Sequence, residues 1–202
     1  MNFEDSVMIR ECLGFLDAKG VDTVHPRHVA KNAVVIFDSL SDLHNLGDRE
    51  RDLLVYAALL HDVGWCISEK KHHKHSMDII LGDKNLRFND RDRLVVANIA
   101  RYHRKSLPSE EHEYFSGLDP AGKNIVLVNS AILRVADALD RLHMSRVEIL
   151  GCTVNGDSVI IKCRTGGIST YEIAAVEKKS DMFEEVFKKN VRPVCLIEAQ
   201  KK

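Results

Sequence analysis

The segment from Val55 to Leu81 constrains the fold of this chain more than any other. It begins as an apolar helical run but ends in His61-Asp62, an imidazole beside a carboxylate, where a core helix would carry apolar residues. Gly64 and the basic, histidine-rich residues 70–75 follow. Neighbouring helical residues point about 100° apart, so His61 and Asp62 share one cation only where their helix meets others. The remaining ligands must therefore come from other parts of the chain.

Size and charge restrict the classes of partner. A chain of 202 residues forms one medium domain, or one domain with a small appendage. A net charge of −1 gives no strong overall field for nucleic acid or a membrane surface, so any attraction for phosphate must be local. Aromatic residues make up only 6%, which argues against stacking along a nucleic-acid strand. We predict no nucleic-acid or membrane partner and leave a homodimer open.

The N-terminal residues and the cysteines indicate a cytoplasmic protein. Residues 1–10 carry acids where a signal peptide needs basic and then apolar residues. The longest apolar run, residues 53–60, is too short to span a bilayer. The five cysteines are scattered and form no CxxC pair, so we predict that they are reduced thiols in the cytoplasm.

Hydrophobic periodicity predicts a mainly α fold, with a multi-helix bundle over residues 1–146 and a small C-terminal α+β appendage over residues 147–202. In the bundle, Asp48 and Asn89 are predicted helix caps, and residues 41–47 and 105–120 are connectors. The predicted helices cover residues 3–18, 26–40, 48–62, 73–82, 90–104 and 121–143.

The appendage has a different pattern. Apolar and polar residues alternate on both sides of Asn155-Gly156-Asp157, which predicts two strands and a tight turn. Residues 170–176 are a candidate third strand, residues 177–189 a helix, and residues 191–199 a last strand.

Histidines and carboxylates lie in or beside separate apolar helical segments, as a metal site shared by several helices requires. The predicted ligands are His25, His61, Asp62, His75, His103 and Asp137. Nitrogen and oxygen ligands without thiolate favour Mn, Fe, Zn, Ni or Co over a structural zinc site, with Mg also allowed. Six ligands exceed the needs of one tetrahedral ion, so one or two divalent ions are predicted.

Five motifs in this order resemble the HD-domain metal-dependent phosphohydrolase superfamily. They are HPRHVA (25–30), HD (61–62), HHKHS (72–76), ARYHRK (100–105) and ILRVADALDR (132–141). The resemblance is closest to the HD domain of exopolyphosphatase/guanosine pentaphosphate phosphatase proteins. It covers about residues 20–145, and the appendage resembles the small terminal domain of that family.

The resemblance implies a role for each matching residue. His25 matches the first metal histidine, His61 and Asp62 match the metal-binding and catalytic dyad, and Asp137 matches the closing aspartate. His75 and His103 match the further histidines of binuclear members. The implied activity is hydrolysis of a small phosphorylated metabolite (a nucleotide, phosphoester or phosphoanhydride) by metal-activated water.

Two differences from the motifs of related proteins restrict the expected substrates and the expected place of the chemistry. Only Tyr102-His103-Arg104 stands where cyclic-dinucleotide phosphodiesterases have HHE, and their GYP signature is absent, which argues against cyclic dinucleotides. The glycine-rich phosphate loops of the exopolyphosphatase actin-like domain are also absent, so the chemistry is expected at the HD site.

Basic residues beside the presumed ligands are candidate substrate-binding groups: Lys74, Arg104, Lys105, Arg134 and Arg141. Each also has a simpler interpretation as part of a solvated face. In the same way, Asp137 could pair with Arg141, His103 could be a core histidine, and His75 could be a solvated one. His28, His72 and His73 are interpreted as surface residues or as neighbours of ligands. Two other functions stay open, a non-catalytic binding module for phosphorylated ligands and a di-iron oxygenase.

Overall fold

The computed structural model describes residues 6–167 and 170–197. The helices are α1 (Val7–Ala18), α2 (Val24–Ser39), α3 (Ser41–His44), α4 (Asp48–Leu60), α5 (His72–Gly82), α6 (Asp90–Arg101), α7 (Glu113–Ser116), α8 (Pro120–Ala138), α9 (Thr170–Lys179) and α10 (Asp181–Phe187). The strands are β1 (Val147–Asn155), β2 (Ser158–Thr165) and β3 (Asn190–Ile197). The predicted mainly α bundle with a small C-terminal α+β unit is confirmed.

Two helices form the centre of the bundle. The run from Leu53 to Leu60 in α4 is buried apart from Tyr56, and α8 is buried on nearly all sides from Ile125 to Ala138. A helix without a polar face must be covered all round, so the other helices pack around these two. Among the described residues, none of the helices has the length and apolar character needed to cross a bilayer.

The helix ends explain where the predicted boundaries hold and where they shift. Asn89 caps α6 as predicted, since its side chain accepts a hydrogen bond from the Asp92 amide. Gly47 is the cap residue of α4, so Asp48 is the first helical residue instead. Helix α8 ends at Ala138, five residues before the predicted 143, because the Asp140 carboxylate accepts hydrogen bonds from the backbone amides of Met144 and Ser145 and closes a turn.

The sheet has the order β1-β2-β3. As predicted, β1 and β2 pair antiparallel around Gly156, whose φ of 55° suits glycine. The predicted last strand forms β3, which runs parallel to β2, while residues 198–199 of that prediction lie outside the described residues. A parallel pair needs a long crossover, and α9 and α10 supply it.

The predicted strand at residues 170–176 is wrong, because this segment is the first part of α9. Glu172 and Val176 are the buried residues of α9. Their spacing of four is helical, and it places both on the face that packs inward. The helix required by the crossover therefore forms despite the preference of the local β-branched and aromatic residues for a strand.

The prediction of five reduced cysteines is also wrong, because Cys163 on β2 and Cys195 on β3 form a disulfide. The two residues are register partners in the parallel pair. Their separation of 32 residues spans the crossover, so sequence spacing did not reveal the pair. Among the described residues, Cys12, Cys66 and Cys152 are free thiols.

The C-terminal unit, residues 147–197, packs directly on the helical bundle. The side chain of Asn32 on α2 donates to the Val147 carbonyl and accepts from the Ile149 amide, which fixes the start of β1. Arg134 on α8 forms an ion pair with Asp181, the first residue of α10. The unit is therefore held against both α2 and α8.

Candidate metal centre

Buried histidines and aspartates from five helical segments converge at one place. His25 lies at the start of α2, His72 starts α5, and Asp137 lies in the last turn of α8. His61-Asp62 follows α4 directly, and His103 lies two residues after the end of α6. Each of these side chains is at most 7% exposed. We call this set of candidate ligands the metal centre: His25, His61, Asp62, His72, His103 and Asp137.

Asp62 joins two groups of candidate ligands within the described residues. Its Oδ2 lies 3.4 Å from His61 Nε2 and 3.8 Å from His25 Nε2. Its Oδ1 lies 3.2 Å from His72 Nε2 and 3.6 Å from His103 Nε2. One carboxylate oxygen thus faces each group. The first group is His25, His61 and Asp62, and the second is Asp62, His72 and His103.

Asp137 extends the first group. Its Oδ1 lies 3.5 Å from His25 Nε2 and 3.8 Å from His61 Nε2. Its other oxygen, Oδ2, contacts the ammonium of Lys179 on α9. The two oxygens therefore face different partners, one the histidines and the other a lysine.

Hydrogen bonds at the far side of each ring direct every Nε2 into the centre. The Nδ1 atoms of His61, His72 and His103 lie 2.6–2.9 Å from the carbonyls of Ala58, Glu69 and Ala100. The Nδ1 of His25 lies 2.8 Å from the Asp140 carboxylate. Since a carbonyl or carboxylate only accepts, each Nδ1 is the donor, as is typical of metal-binding histidines.

The centre leaves buried polar atoms without protein partners. Among the described residues, His25 Nε2, His61 Nε2 and Asp62 Oδ1 are buried and make no hydrogen bond. The Nε2 atoms of His72 and His103 are 3.2 Å apart, although both rings already use Nδ1 as donor. Unpartnered buried polar atoms are costly, and a cation bound at each group would satisfy them.

The pKa values in the metal-free centre depend on burial and on neighbouring charges. Burial lowers the pKa of His103 well below its usual value, with a further contribution from His61. Burial alone would raise the pKa of Asp62 and Asp137, but His61 beside Asp62 and Lys179 beside Asp137 lower both. Burial also opposes charge on His25, yet the nearby Asp137 and Asp140 carboxylates raise its pKa to about 9.

The structure brings together five of the six predicted ligands, and His72 stands where His75 was expected. His75 lies half-buried on α5 and belongs to neither group. Helix α5 begins at His72, after Lys71 in a left-handed conformation (φ 63°), and its buried face is His72, Ser76, Met77 and Ile80. Helical spacing alone did not decide this choice, since a stripe through Met77 and Ile80 is centred on His73, four residues before Met77.

Gly64 allows α5 to approach the end of α4 closely. A Cβ at Gly64 would lie 2.2 Å from the carbonyl oxygen of His72, which no side chain could accommodate. Ser76 joins the same contact, since its hydroxyl accepts from the Gly64 amide and donates to the His61 carbonyl. The spacing between His61 and His72 therefore depends on a glycine at 64.

A cavity of about 540 Å³ adjoins the metal centre at His103. We call it the basic pocket, because its cationic lining residues are Arg104, Lys105, Arg134, Arg141, Lys178 and Lys179. Four of these were predicted as substrate-binding residues. The fifth predicted residue, Lys74, lines a different cavity beside Arg101. Lys178 and Lys179 were not predicted, because they lie in the predicted helix 177–189, where no presumed ligand is close in sequence.

Arg134 differs from its neighbours in the basic pocket. Its guanidinium donates to the carbonyls of Tyr102 and Ser106 and pairs with Asp181, and the side chain is 2% exposed. Arg104 instead points towards the centre, with one guanidinium nitrogen 3.4 Å from His72 Nε2. Arg134 thus mainly supports the pocket wall, whereas Arg104 offers charge at the second group.

The first group is reached through another cavity, of about 360 Å³, lined in part by His25, Asp62, Trp65 and His143. The ring of His143 stacks on that of His25, with centroids 3.6 Å apart. His143 has a left-handed backbone conformation (φ 53°) in the turn after α8, which brings its ring over the centre. The centre is therefore accessible beside both groups of ligands.

Comparison with known families shows the family of this chain. The family model described as Ppx/GppA phosphatase, domain III, matches residues 13–165. The match includes α2 to α8, which carry all residues of the metal centre, and continues across the predicted boundary at 146 through β1 and β2. Because the model covers well over half of the chain, the protein belongs to the Ppx/GppA phosphatase family.

Proposed function

We propose that this protein is a metal-dependent phosphohydrolase of the HD type that acts on a small phosphorylated metabolite. The observation that carries the proposal is the set of buried Nε2 and carboxylate atoms arranged in two groups around Asp62, three of which have no hydrogen-bond partner among the described residues. The basic pocket beside this set supplies the second requirement, a place for a multiply charged anion.

The donor atoms fit divalent transition metals. Ligand atoms held about 2.0–2.2 Å from one ion lie roughly 3–3.6 Å apart, and the distances around Asp62 are 3.2–3.8 Å. Imidazole and carboxylate without thiolate suit Mn, Fe, Co, Ni or Zn. Such ions, when bound, polarise water and neutralise charge on a phosphoryl group. The two groups would hold one ion each, with Asp62 shared.

The residues of the chain supply the remaining roles, which are to bind the ions, orient water and bind the phosphoryl group. Asp62 and Asp137 remain ionised because their pKa values are lowered, so both can act as ligands near neutral pH. Asp62, between the groups, can also orient the attacking water by accepting a hydrogen bond from it. Arg104 places a fixed positive charge beside His72, where it can bind phosphoryl oxygens in bidentate fashion. Fixed charges of this kind stabilise the transition state of phosphoryl transfer.

A metal-free phosphate-binding module is the second candidate. The contact between Lys179 and Asp137 favours it, because the lysine neutralises one carboxylate of the centre without any metal. The basic pocket could bind a phosphorylated ligand in that state as well. The di-iron oxygenase alternative has no such support, since oxygen chemistry does not require a pocket lined by cations.

The test combines elemental analysis with a phosphate-release screen. The purified protein is assayed with Mn²⁺, Fe²⁺, Co²⁺, Ni²⁺, Zn²⁺ and Mg²⁺ on monophosphates, nucleotides and phosphoanhydrides. We expect bound transition metal and release of phosphate that is lost in Asp62→Asn and kept in His75→Ala. Phosphate binding without metal and without turnover would favour the binding module instead.

A further inference from the structure

Helix α9 of the C-terminal unit reaches the metal centre. Lys179, its last residue, contacts Asp137 Oδ2, while Asp137 Oδ1 faces the histidines of the first group. The position of Lys179 is well defined, because Glu172 and Val176 anchor α9 and the Arg134–Asp181 ion pair follows directly. Lys179 also lines the basic pocket, so its ammonium lies between the centre and the space that a substrate would occupy.

The charge of Lys179 indicates what it binds in the loaded site. An ammonium at Asp137 repels a divalent ion at the other oxygen of the same carboxylate, so the lysine is not suited to strengthen metal binding. An anion entering from the basic pocket offers a better partner, because its phosphoryl oxygens carry negative charge that an ammonium attracts. Lys179 is therefore placed to move from the carboxylate to a phosphoryl oxygen.

Three other cations of the same pocket have no carboxylate partner among the described residues. Lys105, Arg141 and Lys178 are exposed and form no ion pair with any carboxylate in the described part of the chain. Lys178 precedes Lys179 on the helix, so its side chain points about 100° away and does not share the contact with Asp137. The cavity of about 540 Å³ also far exceeds one phosphate group, since a water molecule takes about 30 Å³.

We propose that α9 is the anion-recognition element of the site. Lys179 binds the phosphoryl group at the metal centre, and Lys178 with Arg141 binds a second anionic group of the same substrate. The preferred substrate therefore carries at least two phosphoryl groups. This inference rests on the proposed function and deepens it, since it assigns substrate recognition to the C-terminal unit.

Calorimetric titration with two probes tests the proposal. Inorganic phosphate represents one group, and methylenediphosphonate represents two groups that cannot be hydrolysed. Both are titrated into Co²⁺-loaded wild type, Lys179→Met and Lys178→Met, with Lys162→Met on the exposed side of β2 as the matched control. Chelation of the ion by the probe is common to all variants, so only ratios between variants are compared.

The expected pattern differs between the two lysines. Lys179→Met should lower the binding affinity for both probes about tenfold, which is the effect of one lost charge-assisted hydrogen bond. Lys178→Met should weaken methylenediphosphonate by a similar factor and phosphate less than about twofold, whereas Lys162→Met should change neither. Co²⁺ affinity in Lys179→Met should equal or exceed that of wild type, and Lys179→Arg should recover most of the anion affinity.

Several results would overturn the proposal. Loss of Co²⁺ with unchanged anion affinity in Lys179→Met would make the lysine a support for Asp137 alone. Equal effects of Lys178→Met on both probes, or no effect, would remove the second subsite. If wild type binds no Co²⁺, the proposed function fails, and the same titrations on metal-free protein then decide separately whether α9 binds anions.

Discussion

The pair His72→Ala and His75→Ala gives the sharpest test of the metal centre. The two residues lie three positions apart on α5, but only His72 faces His103 and Asp62. Loss of a residue that merely supports a ligand costs about 10–100-fold in metal affinity, so loss of the ligand itself should cost at least about 100-fold in the second group. The first group keeps its own ligands and should stay occupied.

This loss translates into a measurable change in stability. A metal concentration 100 times the dissociation constant stabilises the folded state by about 2.7 kcal/mol per site, and a 100-fold weaker site at the same concentration gives only about 0.4 kcal/mol. Thermal unfolding with and without Mn²⁺ or Co²⁺ should therefore show a smaller metal-induced shift in His72→Ala. Elemental analysis should fall from near two ions per chain to near one.

His75→Ala is the control, with both the metal content and the thermal shift expected to match wild type. Equal stoichiometry in His72→Ala and wild type would refute the assignment of the second group. Loss of metal in His75→Ala but not in His72→Ala would show that the original sequence-based choice was correct and that α5 is rotated in solution.

Three further changes probe the surroundings of the centre. Asp140→Asn should lower metal affinity at the first group about 10–100-fold, because an amide fixes the His25 ring less well than a carboxylate does. Competition with a chelator measures this affinity, and an unchanged affinity would contradict the prediction. Gly64→Ala should lower the free energy of unfolding by about 3 kcal/mol or more, since its Cβ would overlap the His72 carbonyl; urea unfolding measures this, and a loss below about 1 kcal/mol would mean that α5 moves away freely. Because the pKa of His25 is raised to about 9, protonated His25 stabilises the metal-free fold. This stabilisation is complete below about pH 6.5 and is lost as the pH rises through 9. The melting temperature of metal-free protein should therefore fall across that window while metal affinity rises, and parallel trends would exclude His25 as a ligand.

Local patterns in the sequence were sufficient for the bundle and for most of the centre. His61-Asp62 follows an apolar run and His103 and Asp137 lie in others, so their burial followed from helical periodicity alone. The hairpin was equally local, because the turn at Gly156 and the alternation on both sides lie within one short segment. These features depend on neighbours in sequence, which is why they could be predicted.

Features that depend on the position of one element against another needed the tertiary structure. The choice of His72 over His75 depends on where α5 begins and on how closely it approaches Gly64. The wrong strand at residues 170–176 has the same origin, since the segment is helical because it must cross from β2 to β3. That crossover also aligns Cys163 with Cys195, a pairing that sequence spacing alone did not suggest.

The contact between Lys179 and Asp137 is the clearest feature that needed the tertiary structure. The two residues are 42 positions apart and on different structural units, and nothing in the local sequence of either indicates the other. Their contact follows from the packing of α9 against α8, which buries Glu172 and Val176. The sequence alone determined which side chains could bind metal and phosphate. The tertiary structure decided which of them meet, because only packing brings distant helices to within the few ångströms over which a charge or a ligand acts.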